Sequence, residues 1–223
     1  MRGLHLCAII LFSPAAGPVL AQQPGQPAHE DHDQPVQGAP LAAGWTARPD
    51  GKATAAEVRF VAMGTGWHAT LGPATILYRA QDAVTGRFHT LATFTQTPAP
   101  QHAEGYGLFF GGQALDGAGQ KYTYFLVRGD GTFLVKRREG EKTIELTKGW
   151  IPHPAVHKAD AEGKATNRLE IDGKASADKF NFAVNGQVVY SMDPKMVDPN
   201  GIIGLRINHN LEVHVDGFGV HRL

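Results

Sequence analysis

From residue 44 onward, the apolar side chains of this chain recur at every second position, and no stretch of ten or more residues holds a 3.6-residue period. Successive side chains of a strand point to opposite faces, so a period of two specifies sheets and leaves little room for helices. The clearest case is residues 121–140, KYTYFLVRGDGTFLVKRREG. Two alternating runs flank Gly129, Asp130 and Gly131, a tight-turn signal, so the segment reads as a hairpin. Placing Phe125, Val127, Phe133 and Val135 toward a core puts Tyr122, Tyr124, Leu126, Arg128, Lys136 and Arg138 on the other face. A second hairpin is expected over 180–192, where Asn185-Gly186 supplies the two positive-φ positions of a type I′ turn. Further strands are expected over 57–63, 74–79, 86–96, 105–112, 202–208 and 211–220, with one helical turn near 193–196. About a dozen short strands joined by tight turns call for abundant glycine. The chain has 27 glycines. The reading is all-β: two antiparallel sheets packed as a sandwich.

The chain before residue 44 has a different character. Arg2, an apolar run over 4–12, the break from Pro14 to Pro18, and Val19-Leu20-Ala21 before Gln22 read as a cleavable signal peptide over 1–21. The apolar run is shorter than the roughly 20 residues that span a bilayer, so no transmembrane span is expected after cleavage. Residues 22–43 are rich in Pro, Gln and Gly and hold no aromatic residue, the composition of a disordered linker. Within them His29, Glu30, Asp31, His32 and Asp33 form a polar tract that nothing rigid holds as a metal site. One sandwich domain is then expected over 44–223, in an exported protein of the periplasm or the extracellular medium. Cys7, the single cysteine, would leave with the signal, so no disulfide is expected. Formal net charge is +0, which argues against a nucleic-acid binder and against a polybasic membrane-surface protein. The sequence leaves the oligomeric state open.

Several segments, taken in order, resemble a known superfamily. They are YGLFFGG followed by the 121–140 hairpin, then Asn167-Arg168-Leu169-Glu170-Ile171 followed by FAVNGQVV, then Gly201–Ile207 and the closing VHVDGFGV. This order, over about residues 86–221, is similar to the concanavalin A-like lectin/glucanase jelly rolls, nearest to bacterial 3-keto-disaccharide hydrolase-like and laminin-G-like domains. The resemblance implies a jelly-roll sandwich that binds a saccharide. It leaves open a glycoside hydrolase acting on a (keto-)disaccharide or glucan, and a protein-interaction or structural module. In the glucanase branch a Glu-x-Asp-x-x-Glu strand carries the chemistry. Glu170-Ile171-Asp172 matches its first half, and Ala175 stands where the last Glu would be. One of the two carboxylates that a covalent glycosidase mechanism needs is therefore missing. The strand motif of the keto-disaccharide hydrolase branch is also absent, with residues 106–112 in its place.

Four groups of residues could carry chemistry. The outer face of the first hairpin offers Tyr122, Tyr124, Arg128, Lys136 and Arg138, rings and cations suited to sugar faces and hydroxyls. A solvated sheet face with cross-strand tyrosine packing has the same pattern. Arg206, Asn208 and His209, at a strand end and turn, are suitable hydroxyl partners at a sandwich rim. Asn167-Arg168 and the aromatics Trp67, His68 and Trp150 are further rim candidates. Glu212, His214 and Asp216 share a strand face at steps of roughly 7 Å, a weak metal or acid/base set that any half-exposed strand also displays. Glu170 and Asp172 are weak catalytic candidates, and Asp172-Gly173 is equally a turn signal. No cofactor is expected. Calcium is possible on the resemblance, though no loop has enough acidic ligands.

Overall fold

The computed structural model describes residues 33–37, 41–176 and 179–223, without the side chains of 174–176. The expected signal peptide lies outside the described residues, as does most of the His/Asp/Glu tract. The described chain is all-β, with fifteen strands. In order they are β1 (Thr46–Pro49), β2 (Val58–Met63), β3 (Gly66–Leu71), β4 (Thr75–Val84) and β5 (Phe88–Gln96). There follow β6 (Gly105–Gln113), β7 (Lys121–Arg128), β8 (Thr132–Glu139), β9 (Lys142–Glu145) and β10 (Ile151–Pro152). The last five are β11 (Ala165–Ser176), β12 (Lys179–Val184), β13 (Gln187–Met192), β14 (Gly201–Ile207) and β15 (Leu211–Arg222). Among the described residues the helical content is two 3₁₀ turns, Ala55–Glu57 and Pro194–Met196, the second where one helical turn is expected. No helix among them is long and apolar enough to cross a membrane.

The strands form two antiparallel sheets. The first runs β1-β4-β14-β6-β7-β8-β10, with β9 also on β8. The second runs β13-β12-β11-β5-β15-β3-β2. Both sheets mix hairpin neighbours with strands distant in sequence, as β14 between β4 and β6 shows. Both expected hairpins are present. Tyr122 faces Arg138 and Tyr124 faces Lys136 across β7–β8. At the other hairpin Asn185 has φ 50 and Gly186 has φ 80, the mirror-image turn that L-residues other than Asn and Gly rarely adopt.

Alternation sorts residues onto faces as period two requires. Phe125, Val127, Phe133 and Val135 join Leu108, Phe110, Leu169 and Phe182 in the core between the sheets. Phe110 and Phe180 stack at 5.2 Å, and Phe125 meets Phe182 edge-on at 5.3 Å. Each such buried side chain contributes about 1.5–3 kcal/mol over an exposed one.

Part of the segment expected as linker lies on the sandwich. Leu41 and Ala42 pack against the core, and the Ala42 N–H donates to the Phe60 carbonyl at 2.7 Å. The Gln34 N–H donates to Asn210 Oδ1 at 2.7 Å. The compact unit runs from Asp33 to Leu223.

Candidate functional site

The outer face of the first sheet carries a second apolar cluster. Ile76 of β4, Phe109 of β6, and Tyr122, Tyr124 and Leu126 of β7 are its buried members, together with Leu115 from the loop between β6 and β7. Sequence alternation places the tyrosines away from the core, and they are. It does not reveal that they are covered: Tyr122 is 2% exposed and Tyr124 is 7% exposed. The β6–β7 loop folds over this face, with Leu115 in the cluster and Arg48 donating to the Gly117 carbonyl at 3.0 Å.

Above the tyrosines lies an ionic bridge. Asp50 Oδ2 accepts from Arg206 at 2.7 Å and from Arg138 at 3.0 Å. Arg206 also reaches the Tyr122 hydroxyl at 3.4 Å, and its guanidinium lies 5.8 Å from the Tyr124 ring centre. Burial raises the Asp50 pKa, but the Arg206 and Arg138 charges and hydrogen bonds outweigh it and hold the carboxyl below 3.8. Burial likewise works against the Arg206 charge, and the neighbouring Tyr122 and Asp50 reverse that effect. Burial pushes the Tyr124 phenol up to about 12, so it remains an O–H donor through the neutral range. Among the described residues this hydroxyl has no hydrogen-bond partner.

The network continues to the rim. Arg206 Nε donates to Asn208 Oδ1 at 3.4 Å, and Asn208 Nδ2 donates to Glu104 Oε2 at 3.0 Å. His209 Nε2 lies 2.9 Å from Glu104 Oε1, and its Nδ1 lies 3.3 Å from Asp33 Oδ1. At the opposite side, beside Arg138, a cavity of about 450 Å³ is lined by Arg48, Gly51, Asp116, Gly117, Gln120 and Arg138. That size suits a small ligand. The Gln120 Oε1 acceptor is buried there without a partner.

Of the residues expected to bind a ligand, Tyr122, Tyr124, Arg138, Arg206, Asn208 and His209 therefore meet in one connected network. Arg128 and Lys136 are engaged elsewhere. Arg128 pairs with Asp130 at 2.6 Å and lies 4.1 Å over the Trp150 ring. Gly105 leaves room for that ring, because a Cβ there would stand 2.6 Å from it. Lys136 pairs with Glu145 of β9 at 3.1 Å. Asp50, Arg48, Gln120 and Glu104 carry no site signal in the sequence.

The remaining candidates lie on the second sheet, with Glu170, Asp172, His68, Glu212, His214 and Asp216 on its outer face and Trp67 and Asn167 turned inward. Glu170 pairs with His89 at 3.2 Å and with Arg168 at 3.2 Å, and Asp172 stands opposite His89 and Asn181. His68 lies 3.7 Å from Glu212, and His214 lies 3.1 Å from Asp216. Trp67 packs edge-on against Trp45 at 5.2 Å, beneath the Arg79 guanidinium. Asn167 is buried, its amide nitrogen donating to the His157 carbonyl at 3.1 Å. Glu170 and Glu212 do not converge. Glu170 is in register with Leu91, and Leu91 with Gly219, so Glu212 sits seven residues further along β15, about 23 Å at strand rise. Glu104 belongs to the first sheet's rim. A retaining glycosidase needs its two carboxyl groups about 5–5.5 Å apart. Among the described residues no three His, Cys, Asp or Glu side chains converge on a metal position.

Comparison with solved structures places this architecture. The carbohydrate-binding module CBM66 from Bacillus subtilis superposes with a TM-score of 0.58 at 13% identity, covering 82% of this chain and 99% of that one. The shared feature is a sandwich of two antiparallel sheets. The carbohydrate recognition domain of Emp47p also matches, with a TM-score of 0.52 at 10% identity, covering 88% of this chain and 99% of that one. At these identities the likeness is one of fold. No family model and no curated protein sequence matches the chain.

Proposed function

We propose that this protein is an exported, lectin-like carbohydrate-recognition domain that binds a saccharide on the outer face of its first sheet. The observation that carries the reading is the Arg138–Asp50–Arg206 bridge held over Tyr122 and Tyr124, with the Tyr124 ring beside the Arg206 guanidinium and a cavity opening beside Arg138. A sugar offers a ring of hydroxyls that both donate and accept. The face answers with guanidinium donors at Arg48 and Arg138, a phenol donor at Tyr124, and a carboxylate acceptor at Asp116. Arg48, Tyr124 and Arg138 sit on strands. Arg138 is held by its ion pair with Asp50 and Arg48 by the Gly117 carbonyl before any ligand arrives, which lowers the ordering cost of binding. The two structurally similar domains are a carbohydrate-binding module and a carbohydrate recognition domain, which supports the saccharide class. Export rests on the signal-peptide pattern of residues 1–21. The reading invokes no cofactor. Hydrolysis gains no support, because Glu170 lies far from Glu212 and Ala175 stands where the last Glu of the glucanase strand would be.

Native mass spectrometry of the purified protein with a panel of neutral, keto- and acidic oligosaccharides tests this reading. It predicts an intact one-to-one adduct that weakens in Tyr124→Ala. Absence of any adduct across the panel would remove the reading, and a shortened saccharide would replace it with an enzyme.

A further inference from the structure

The core between the sheets ends before β7 and β8 do. On their inward faces Phe125, Val127, Phe133 and Val135 are core residues. The next positions on that face are Thr123 and Lys121 of β7 and Arg137 and Glu139 of β8, with Thr123 in register with Arg137 and Lys121 with Glu139. Gln113 of β6 is in register with Lys121. The turn Pro194–Met196, with Val197 and Asp198 after it, lines the other side of the space beyond the core, leaving a cavity of about 350 Å³. Its walls are tied together. Arg137 Nη1 donates to the Met196 carbonyl at 3.0 Å, and Gln113 Nε2 donates to Asp198 Oδ2 at 2.8 Å and to the Asn200 carbonyl at 3.0 Å. Gly111 lets the Asp198 carbonyl approach, because a Cβ there would collide with that oxygen.

Three cations line this cavity, Lys121, Arg137 and Lys195, against two carboxylates, Glu139 and Asp198. Both carboxylates are engaged. Glu139 pairs with Arg137 at 2.9 Å, and Asp198 accepts from the Asn200 N–H at 2.9 Å as well as from Gln113. Lys121 and Lys195 are exposed and have no carboxylate partner among the described residues. Thr123 supplies an independent observation. It is 3% exposed, it lines the cavity, and its hydroxyl has no hydrogen-bond partner among the described residues. Buried polar groups are nearly always paired, so this hydroxyl calls for an occupant of the cavity. Each ammonium carries three donors and no acceptor, and the hydroxyl can donate a fourth kind of contact from within. A donor-rich cavity with an excess of positive charge favours an acceptor-rich anion.

We propose that this cavity binds a small organic oxyanion, a carboxylate, sulfate or phosphate, with Lys121 and Lys195 pairing with the charge and the Thr123 hydroxyl donating to it. Arg137, pinned by Met196 and Glu139, adds a fixed positive field. The volume exceeds that of a bare ion and falls at the lower end of small-molecule sites, which run from roughly 300 to 1,000 Å³. Thr123 and Arg137 face inward from β7 and β8, whereas Tyr124 and Arg138 face outward, so the site does not rest on the saccharide reading.

The test is an NMR titration of the full protein with glucuronate, glucose 6-sulfate and glucose 6-phosphate, with glucose as the neutral control. These probes share one ring and differ in the anion, so their order of affinity identifies the oxyanion. The proposal expects at least one of the three to give saturable shifts at Arg137 and Lys195 to Asp198, and glucose to give none there. The affinity read at those residues should fall about tenfold in Lys121→Gln and in Lys195→Gln, each losing a charge-assisted hydrogen bond, and about fivefold in Thr123→Val. Absence of saturable shifts at those residues with all three anionic probes would overturn the proposal. Equal shifts with glucose, or affinity unchanged in both lysine variants, would overturn it as well. Both lysines are exposed, so their glutamine variants should keep the fold, and melting curves of all three variants separate lost contacts from lost structure.

Discussion

The outer faces of the two sheets are both non-core surfaces of one sandwich, yet they are built differently. On the first sheet the charged groups come from distant parts of the chain and share partners. Asp50 is 88 residues from Arg138 and 156 from Arg206, and one of its oxygens serves both. An apolar layer of tyrosine and phenylalanine lies beneath them. On the second sheet the ion pairs are short-range or between adjacent strands, as in Arg168–Glu170, His214–Asp216 and His89–Glu170, and among the described residues no second apolar cluster supports them. Alternation alone produces the second kind of surface. The first kind requires several segments to converge, and convergence of polar groups over a dry layer is what fixes a binding geometry.

The largest difference should appear on removing Asp50. Asp50→Ala leaves two guanidiniums facing each other, one of them only 8% exposed, and should destabilise the fold by about 3 kcal/mol in chemical denaturation. Glu170→Ala, its counterpart on the second sheet, should cost less than about 1 kcal/mol. Equal losses would erase the distinction between the faces.

The Asp50 bridge also sets a pH window. Its carboxyl pKa is lower in the folded state, so the stabilisation is complete above 3.8 and is lost as pH falls through the folded value. A denaturation series should show an acid-limb loss below pH 3.8 that Asp50→Asn removes. His68 acts in the same direction at higher pH. Its folded pKa lies below 6.5, so protonation on passing below 6.5 opposes folding, and His68→Gln should flatten that part of the profile.

A gentler substitution sharpens the functional half of the comparison. Tyr124→Phe removes a hydroxyl that has no partner among the described residues, so stability should change by no more than about 0.5 kcal/mol. Saccharide affinity should fall about tenfold, the value of one lost hydrogen bond. The smallest effect is expected from His89→Gln on the second sheet, with saccharide affinity unchanged in the same titration.

Much of the sandwich is legible in the sequence, because period two decides which side chains meet. Phe125 and Val127 against Tyr122 and Tyr124 could be separated by alternation alone, and Asn185-Gly186 announced its turn. The covering of the tyrosines was not legible. It depends on Leu115 folding back from a loop and on β14 lying between β4 and β6, a strand order that no local pattern encodes. Asp50 escaped for the same reason: its partners are set by sheet topology. Arg128 was misplaced in the other direction. The Asp130 that signals the turn also captures the arginine beside it, at 2.6 Å.

Chemical-shift mapping of the backbone amides during titration with a saccharide that binds tests the central claim most directly. The account predicts that perturbations concentrate on Asp50, Gln120 to Tyr124, Arg138 and Arg206, and leave β3, β11 and β15 unmoved. Perturbations centred on the outer face of the second sheet, with the first unmoved, would contradict it.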